Sequence, residues 1–484
     1  MTTLLKMFSE KLLSILQTLS KVERNRFRKY LLSPYLNDQL DLILLFDASD
    51  KALRDGTFTQ LERQEVWQKL YPNKSYNDAQ LRRLASDLNQ MALQFLSAEA
   101  RSENPLAKAL DLQRLLEKPE LKKHVAGVER NIIRLLEAVP GQSTDYYLAQ
   151  FNLYNNISNK ASKNLSATGY AEKLPSADFY LECFYLTQKL KIYVAWLLYQ
   201  GSRVAEKNLE LPTGFWQHVE HERFENVPLL KVYRRVVHCL TEPDNEEEYR
   251  GLLESLDKQA EYLAKEDLRQ CYFIAQNYCA LKINQGNREY YREVFEIFKK
   301  IIQKGILLEN ENLSEGIFKN IVTAGLGVGE FEWTEKFIRD YAVFLPSDIR
   351  ENAGTFNLSY LYFHQKKYQS VLELLQNVEY SDVTYALGSK LILVQTYYEV
   401  GELLVMESLI DSFRIFIRRN KLMSKNLKRE YISYLNFVKK LSDLKSTAQK
   451  IPAKFREQVM ATSSSTSKKW LIEKIDILAS RTKK

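Results

Sequence analysis

Tyr249, Tyr291, Phe331, Tyr368 and Leu403 follow one another at intervals of 42, 40, 37 and 35 residues, and each begins the second of two apolar-periodic stretches. A repeat of that length holding two amphipathic helices cannot close a core by itself, because each helix has one apolar stripe and too few partners within the unit. The apolar faces must be buried between successive pairs. Leu229, Leu230, Tyr233, Val236, Val237 and Leu240 form one such stripe, and Tyr249, Leu252, Leu253, Leu256, Ala260 and Leu263 form the next across an acidic turn. The 16 Gly and 11 Pro in 484 residues are too few for the frequent turns of a sandwich or barrel. The expected fold class is all-α.

Between residues 350 and 410 the pattern is sharpest. Tyr362 precedes Tyr368 by six residues across Gln365-Lys366-Lys367, with Val371 and Leu375 behind it, and Tyr397, Gly401, Leu403, Met406 and Ile410 repeat that layout. One unit earlier, Gly329, Phe331, Thr334 and Ile338 lead to Pro346. Over about 228–420 the chain resembles tetratricopeptide-like α-solenoid proteins. It departs from them where Val371, Met406 and Thr334 replace the small alanine of the second helix, and where the unit length drifts. The resemblance implies an α-solenoid of antiparallel helix pairs that leaves a surface for a protein or peptide. An irregular helical bundle is the alternative arrangement of the same helices.

Four segments follow: an N-terminal helical module at 1–100, irregular helical hairpins at 101–227, helix-pair repeats at 228–420 and basic capping helices at 421–484. In the module, Ser20 with Glu23 and Thr59 with Glu62 have capping-box spacing, and Asn77 with Gln80 follows the same logic. Leu81, Leu84, Leu88, Met91 and Phe95 make one helical stripe, while Pro34 and Pro72 mark turns. Loops are expected near Val139–Asp145, Lys160–Asp178 and Gly201–Gly214. A Ser-rich link at Ser463–Ser467 leads to a last helix with Trp470, Leu471, Ile475 and Leu478, expected to fold back as a cap.

Charge is divided unevenly along the chain. From Arg414 to Lys484, 19 Lys and Arg stand against 5 acidic residues, a local +14 within an overall +8, so the preceding residues sum to −6. The densest cluster is Arg414, Arg418, Arg419, Lys421, Lys425, Lys428 and Arg429. It creates a positive potential suited to an acidic protein surface or to phosphates. A solvated array end would also be polar, and cations are expected at a helix C-terminus.

Other chemistries have weaker signatures. His218-Val-Glu220-His221-Glu222 is the one cluster of metal-ligand types, yet zinc needs three or four ligands at defined spacing, and the run reads as a polar helix end rather than a metal site. Gly325-Leu-Gly327-Val-Gly329 lacks the preceding strand and following Lys-Ser/Thr of a phosphate loop, and falls where a repeat turns between helices. Cys183, Cys239, Cys271 and Cys279 sit among apolar residues without Cys-x-x-Cys pairing and read as core thiols of a reducing compartment.

Thr59–Pro72 and Leu81–Leu88 are similar to two helices of the winged-helix regulators that precede tetratricopeptide-like domains. That similarity implies Arg82 and Arg83 as DNA contacts. Against it, the flanks read as helix rather than strand, and residues 1–100 carry only +2, from 14 basic and 12 acidic residues. With Ser33-Pro34-Tyr35 the segment also resembles the N-terminal part of uncharacterised helical proteins from Bacteroidetes, which implies no activity.

The longest strongly apolar stretch, Ile192–Tyr199, is far below the roughly 20 residues of a membrane span. Lys6, Glu10 and Lys11 interrupt any signal-peptide core. The expectation is a non-enzymatic cytoplasmic scaffold or adaptor that binds a protein or peptide, without cofactor or metal. The alternative is a nucleic-acid-binding regulator using residues 59–96 or the basic C-terminal cluster. An enzyme with dispersed site residues is a third reading.

Overall fold

The computed structural model describes residues 10–56, 63–116, 121–139, 141–163, 167–200, 209–375, 383–421, 423–447, 451–461 and 468–481. Among the described residues the regular elements are all helical, and β pairing appears only as isolated bridge positions, such as Glu309 with Asn312. The chain divides into two units: Met1–Ile192 with Thr213–Leu230, and Tyr193–Pro212 with Lys231–Lys484. No helix among the described residues is long and apolar enough to cross a membrane.

The first unit begins with α1 (Glu10–Thr18), α2 (Lys21–Leu31), α3 (Leu40–Arg54), α4 (Arg63–Leu70) and α5 (Asp78–Ser102). Their stripes meet in one core that includes Leu16, Phe27, Phe46, Trp67, Leu88 and Phe95. Phe27 stands edge-on to Phe46 at 5.1 Å, the arrangement that puts a positive ring edge on a negative ring face. Ser20 and Glu23 form the expected capping box on α2, and Asn77 accepts from the Gln80 amide at the start of α5. Thr59 and Glu62 lie outside the described residues. Further along, α6 (Pro105–Leu115), α7 (Lys122–Glu137) and α8 (Thr144–Lys163) share a smaller core of Ala109, Ile132, Leu136, Ala149 and Leu153. Asn104 caps α6 and Pro105 occupies its first turn, where a missing N–H costs nothing.

The described residues of the loop expected near Lys160–Asp178 are helical, and 164–166 lie outside the description. α8 continues to Lys163, and α9 runs from Ala167 to Gln200 with Pro175 inside it. Proline removes one helical hydrogen bond and crowds the preceding turn. Beyond it, however, Cys183, Leu186, Leu190 and Val194 are all buried at three- and four-residue spacing. That continuous packing outweighs the local signal of Gly169 and Pro175. The expected loop near Gly201–Gly214 holds at 209–214, ending on Gly214 in the left-handed region before α10 (Phe215–Val219).

From α11, most of which belongs to the second unit, the helices alternate as the aromatic spacing predicts: α11 (Pro228–Thr241), α12 (Glu246–Gln259), α13 (Lys265–Asn284), α14 (Tyr290–Gln303), α15 (Glu315–Val328), α16 (Phe331–Tyr341), α17 (Arg350–His364), α18 (Tyr368–Leu375), α19 (Val383–Val400) and α20 (Leu403–Arg419). Each marker falls within the first turns of α12, α14, α16, α18 or α20. α12 stops at Gln259, short of the expected Leu263, which is buried in the turn that follows.

Contacts also skip one helix. Among first helices, the Tyr233 hydroxyl on α11 donates to Asp267 on α13 at 2.9 Å, and Phe356 on α17 meets Tyr385 on α19 at 5.5 Å. Second helices are tied by ions: Arg250 on α12 to Glu293 on α14, Lys300 on α14 to Asp257 on α12 at 2.7 Å, and Arg292 on α14 to Glu330 just before α16 at 2.9 Å. Phe295 on α14 and Trp333 on α16 pack edge to face at 4.8 Å.

The unit ends with α21 (Lys425–Ser446), α22 (Ala453–Met460) and α23 (Lys468–Arg481). α22 has no counterpart in the sequence reading, because its eight residues follow directly on Pro452 and carry little periodic signal. Ser463–Ser467 lie outside the described residues. α23 does fold back: Trp470 Nε1 donates to Glu399 at 2.7 Å, Lys474 pairs with the same carboxylate at 2.7 Å, and the indole stands edge-on to Tyr398 at 5.2 Å. Leu387, Met406, Phe413, Leu435, Phe455 and Leu471 belong to one core, so α19 to α23 close together.

Glycines set how closely these helices approach. Only Gly329 of the Gly325–Gly329 run lies at an inter-helix turn, in the left-handed region that ends α15. Gly325 and Gly327 are inside α15. A methyl at 325 would collide with the Oγ1 of fully buried Thr334 on α16, and one at 327 with the ring of Tyr291 on α14. Thr334 is the residue standing where the resemblance expects alanine, and the space it needs comes from Gly325. By contrast, a methyl at Gly354 within α17 meets nothing within 4 Å. Gly325→Ala should therefore lower unfolding stability by about 1–3 kcal/mol through overpacking, while Gly354→Ala should raise it by about 0.4–1 kcal/mol by reducing unfolded-state freedom. Urea denaturation of the two variants checks the pair, and equal effects of one sign would refute the close-approach account.

Candidate functional site

The basic cluster occupies the corner between α20 and α21, and its seven cations do not behave alike. Arg414 is mostly covered and already engaged, by Asp411 on its own helix at 3.0 Å and by Asn436 on α21 at 2.6 Å. Lys428 reaches back from α21 to donate to the Arg418 carbonyl at 3.2 Å. That carbonyl is among the last of α20, where unpaired C=O groups carry the negative end of the helix dipole. Arg429 donates to Asn426 on its own helix at 2.7 Å. Arg414 and Lys428 thus tie the corner together, and Arg429 is engaged on its own helix.

Arg418, Arg419, Lys421 and Lys425 remain. All four are exposed, and none has a side-chain partner among the described residues. They sit on a built turn. Asn420 Oδ1 accepts from the Met423 amide at 3.2 Å, Ser424 Oγ accepts from the Leu427 amide at 3.2 Å, and the Met423 side chain is buried in the core. The first turn of α21 contains no acid and opens on Lys425. Cations at the positive end of a helix are unfavourable by roughly 0.3–1 kcal/mol each at low salt. Of the four only Lys425 stands at such an end, since Arg418 and Arg419 occupy the last turn of α20, where the dipole favours cations; an incoming anion would relieve the mutual repulsion of the quartet.

Arg82 and Arg83 are exposed on the second turn of α5. Arg82 is paired with Asp78 at 3.0 Å, and Asp78 also holds Arg63 at 2.8 Å and accepts from the Tyr76 hydroxyl at 2.8 Å. These partners pull the Asp78 carboxyl below the ordinary range, the Tyr76 hydrogen bond foremost. Flanking α4 and α5 are α3 and α6, helices where the winged-helix similarity implies strands. The structure brings Arg82 into a local ion-pair network and leaves Arg83 beside it.

The histidine run resolves into two separate engagements. His218 Nε2 lies 3.0 Å from Glu182, which also pairs with Arg223 at 2.6 Å, and Arg223 reaches Asp178 at 3.0 Å. His221 Nδ1 accepts from the Arg223 amide at 3.2 Å and starts a short 3-10 turn, Glu222–Phe224. Elsewhere, His238 pairs with Glu242 at 3.5 Å. No group of three or more metal-ligand side chains converges among the described residues.

All four thiols are buried and unbridged. Burial pushes Cys183, Cys239 and Cys279 up to about 12, which suppresses the thiolate on which their reactivity depends. Cys279 also sits 2.9 Å from the Tyr249 hydroxyl. Under native conditions the four should resist an aromatic disulfide reagent at neutral pH and react together once the chain is unfolded. A rapid native reaction of any one would refute their assignment as packing residues. Comparison with known protein families, with curated proteins and with solved structures returned no match.

Proposed function

We propose that the chain is a non-enzymatic scaffold or adaptor of the cytoplasm, which holds a protein or peptide partner on an α-solenoid of tetratricopeptide-like helix pairs. The observation that carries this reading is the contact pattern of α11 to α20. First helices touch first helices through Tyr233–Asp267 and Phe356–Tyr385, and second helices touch second helices through Arg250–Glu293, Lys300–Asp257 and Phe295–Trp333. Pairs that stack in register spread their side chains over an extended surface rather than converging them on a pocket. The exposed quartet at the α20–α21 corner adds an electrostatic feature that favours an acidic surface.

Nucleic-acid recognition is the second reading, and the same quartet is what favours it. It predicts affinity that falls steeply with salt. Isolation of the tagged full-length protein at low salt, with and without nuclease, separates the two readings. The scaffold reading expects a recurrent protein in near-stoichiometric amount that survives nuclease treatment. Recovery of nucleic acid without protein would transfer the assignment to the regulator, and a bare chain would overturn both.

A further inference from the structure

The outer face of α20 carries two kinds of side chain that internal packing does not use. Leu404 is 85% exposed and Ile415 is 49% exposed. Eleven residues separate them, about three helical turns, so they stand on the same side about 16 Å apart. Ser408 and Asp411 lie between them on that face and are exposed. Arg418 and Arg419 follow Ile415 at three and four residues, so the apolar line runs into the cations. The opposite face is fully committed, with Met406, Ile410, Phe413 and Ile417 buried in the core.

The surface is organised before any partner arrives. Asn420, Ser424, buried Met423 and the Lys428 bridge to the Arg418 carbonyl fix the corner, so little ordering cost falls on binding. Its chemistry suits a peptide better than a nucleic acid. Single strands are held by a basic track with aromatic platforms for the bases. Here the cations are gathered at one corner, and the aromatics of α20 are turned inward, Phe413 buried and Phe416 half-buried. Leu404 and Ile415 offer nothing to a phosphodiester backbone but would cover apolar side chains of a protein.

We propose that α20 and the α20–α21 corner dock an acidic amphipathic segment of a partner protein. Two aliphatic or aromatic side chains about three turns apart rest on Leu404 and Ile415, and a run of carboxylates at one end meets Arg418, Arg419, Lys421 and Lys425. This rests on the scaffold reading and names the partner's chemistry. Carboxylates match guanidinium groups in paired geometry, and the apolar contacts set the register.

The test uses the full-length chain and a labelled synthetic helical peptide with two Leu about three turns apart and a run of Glu at one end. Fluorescence anisotropy at low salt should show saturable binding. Reversal of the quartet, R418E/R419E/K421E/K425E, should weaken it at least about tenfold, and L404S/I415S about fivefold or more. Lys319→Glu, a distant exposed charge on α15, should change nothing. All replaced side chains are exposed, so unchanged melting confirms intact folding.

No binding by the unaltered chain overturns the proposal. So does binding that ignores L404S/I415S and is equalled by polyglutamate, since that describes an unspecific positive patch. Tighter, steeply salt-dependent binding of single-stranded or duplex DNA overturns it in favour of nucleic acid. Self-association abolished by the same variants overturns it in favour of a second copy. A co-purifying protein retained by the quartet variant would remove the corner while leaving the scaffold reading intact; a chain that brings down no protein removes the scaffold reading itself.

Discussion

Each helix pair between α11 and α20 has more apolar surface than its own two helices can cover, and the second unit depends on that deficit. Tyr233, Tyr249, Phe298, Phe318 and Phe413 are almost wholly buried although each lies on an amphipathic helix with a solvated back. Neighbouring pairs supply what is missing. Burial of such side chains stabilises by about 1.5–3 kcal/mol each relative to exposure, larger than the ion pairs that accompany it. The ties Arg250–Glu293, Lys300–Asp257 and Arg292–Glu330 each have at least one partner largely open to solvent, where such pairs contribute about 0–1 kcal/mol. Their value lies in register: a slip of one helix against the next would separate all three.

Much of this was legible in the sequence because helical periodicity and turn chemistry are local. The markers Tyr249, Phe331, Tyr368 and Leu403 fall in the opening turns of their helices, and Ser20 with Glu23 closes the capping box its spacing predicts. Errors arose where packing overrides local preference. Gly169 and Pro175 argue for a loop, yet α9 passes through both because its later residues are buried at helical spacing. The glycine run misleads in the same way: spacing alone cannot separate a turn glycine, Gly329, from Gly325 and Gly327, which are small because a neighbouring helix is close. α22 went unseen because eight residues hold barely two turns of pattern.

The candidate site was legible as composition and not as a surface. Sequence supplies seven cations over sixteen residues from Arg414 to Arg429. It does not show that Arg414 is turned toward Asp411 and Asn436, or that Lys428 serves the end of α20. Nor does it show that Leu404 and Ile415 are left outside while Met406 and Ile410, on the same helix, are buried. Such divisions depend on which face a helix presents to its neighbours, and that is fixed only when the neighbours are in place. The histidine run shows the same limit, since His218 takes its partner from Glu182 on α9, outside its own segment.

The contact of Gly325 with Thr334 also bears on how a sequence of this kind can drift. The two residues share one fixed volume across the α15–α16 interface, so neither is free to change alone. A smaller residue at 334 would open room for a methyl at 325, and a glycine at 325 licenses a branched side chain at 334. Chains descended from a common ancestor should trade bulk between these positions while their sum stays constant. A motif search that demands the small residue on one side only would then miss the chains that carry it on the other.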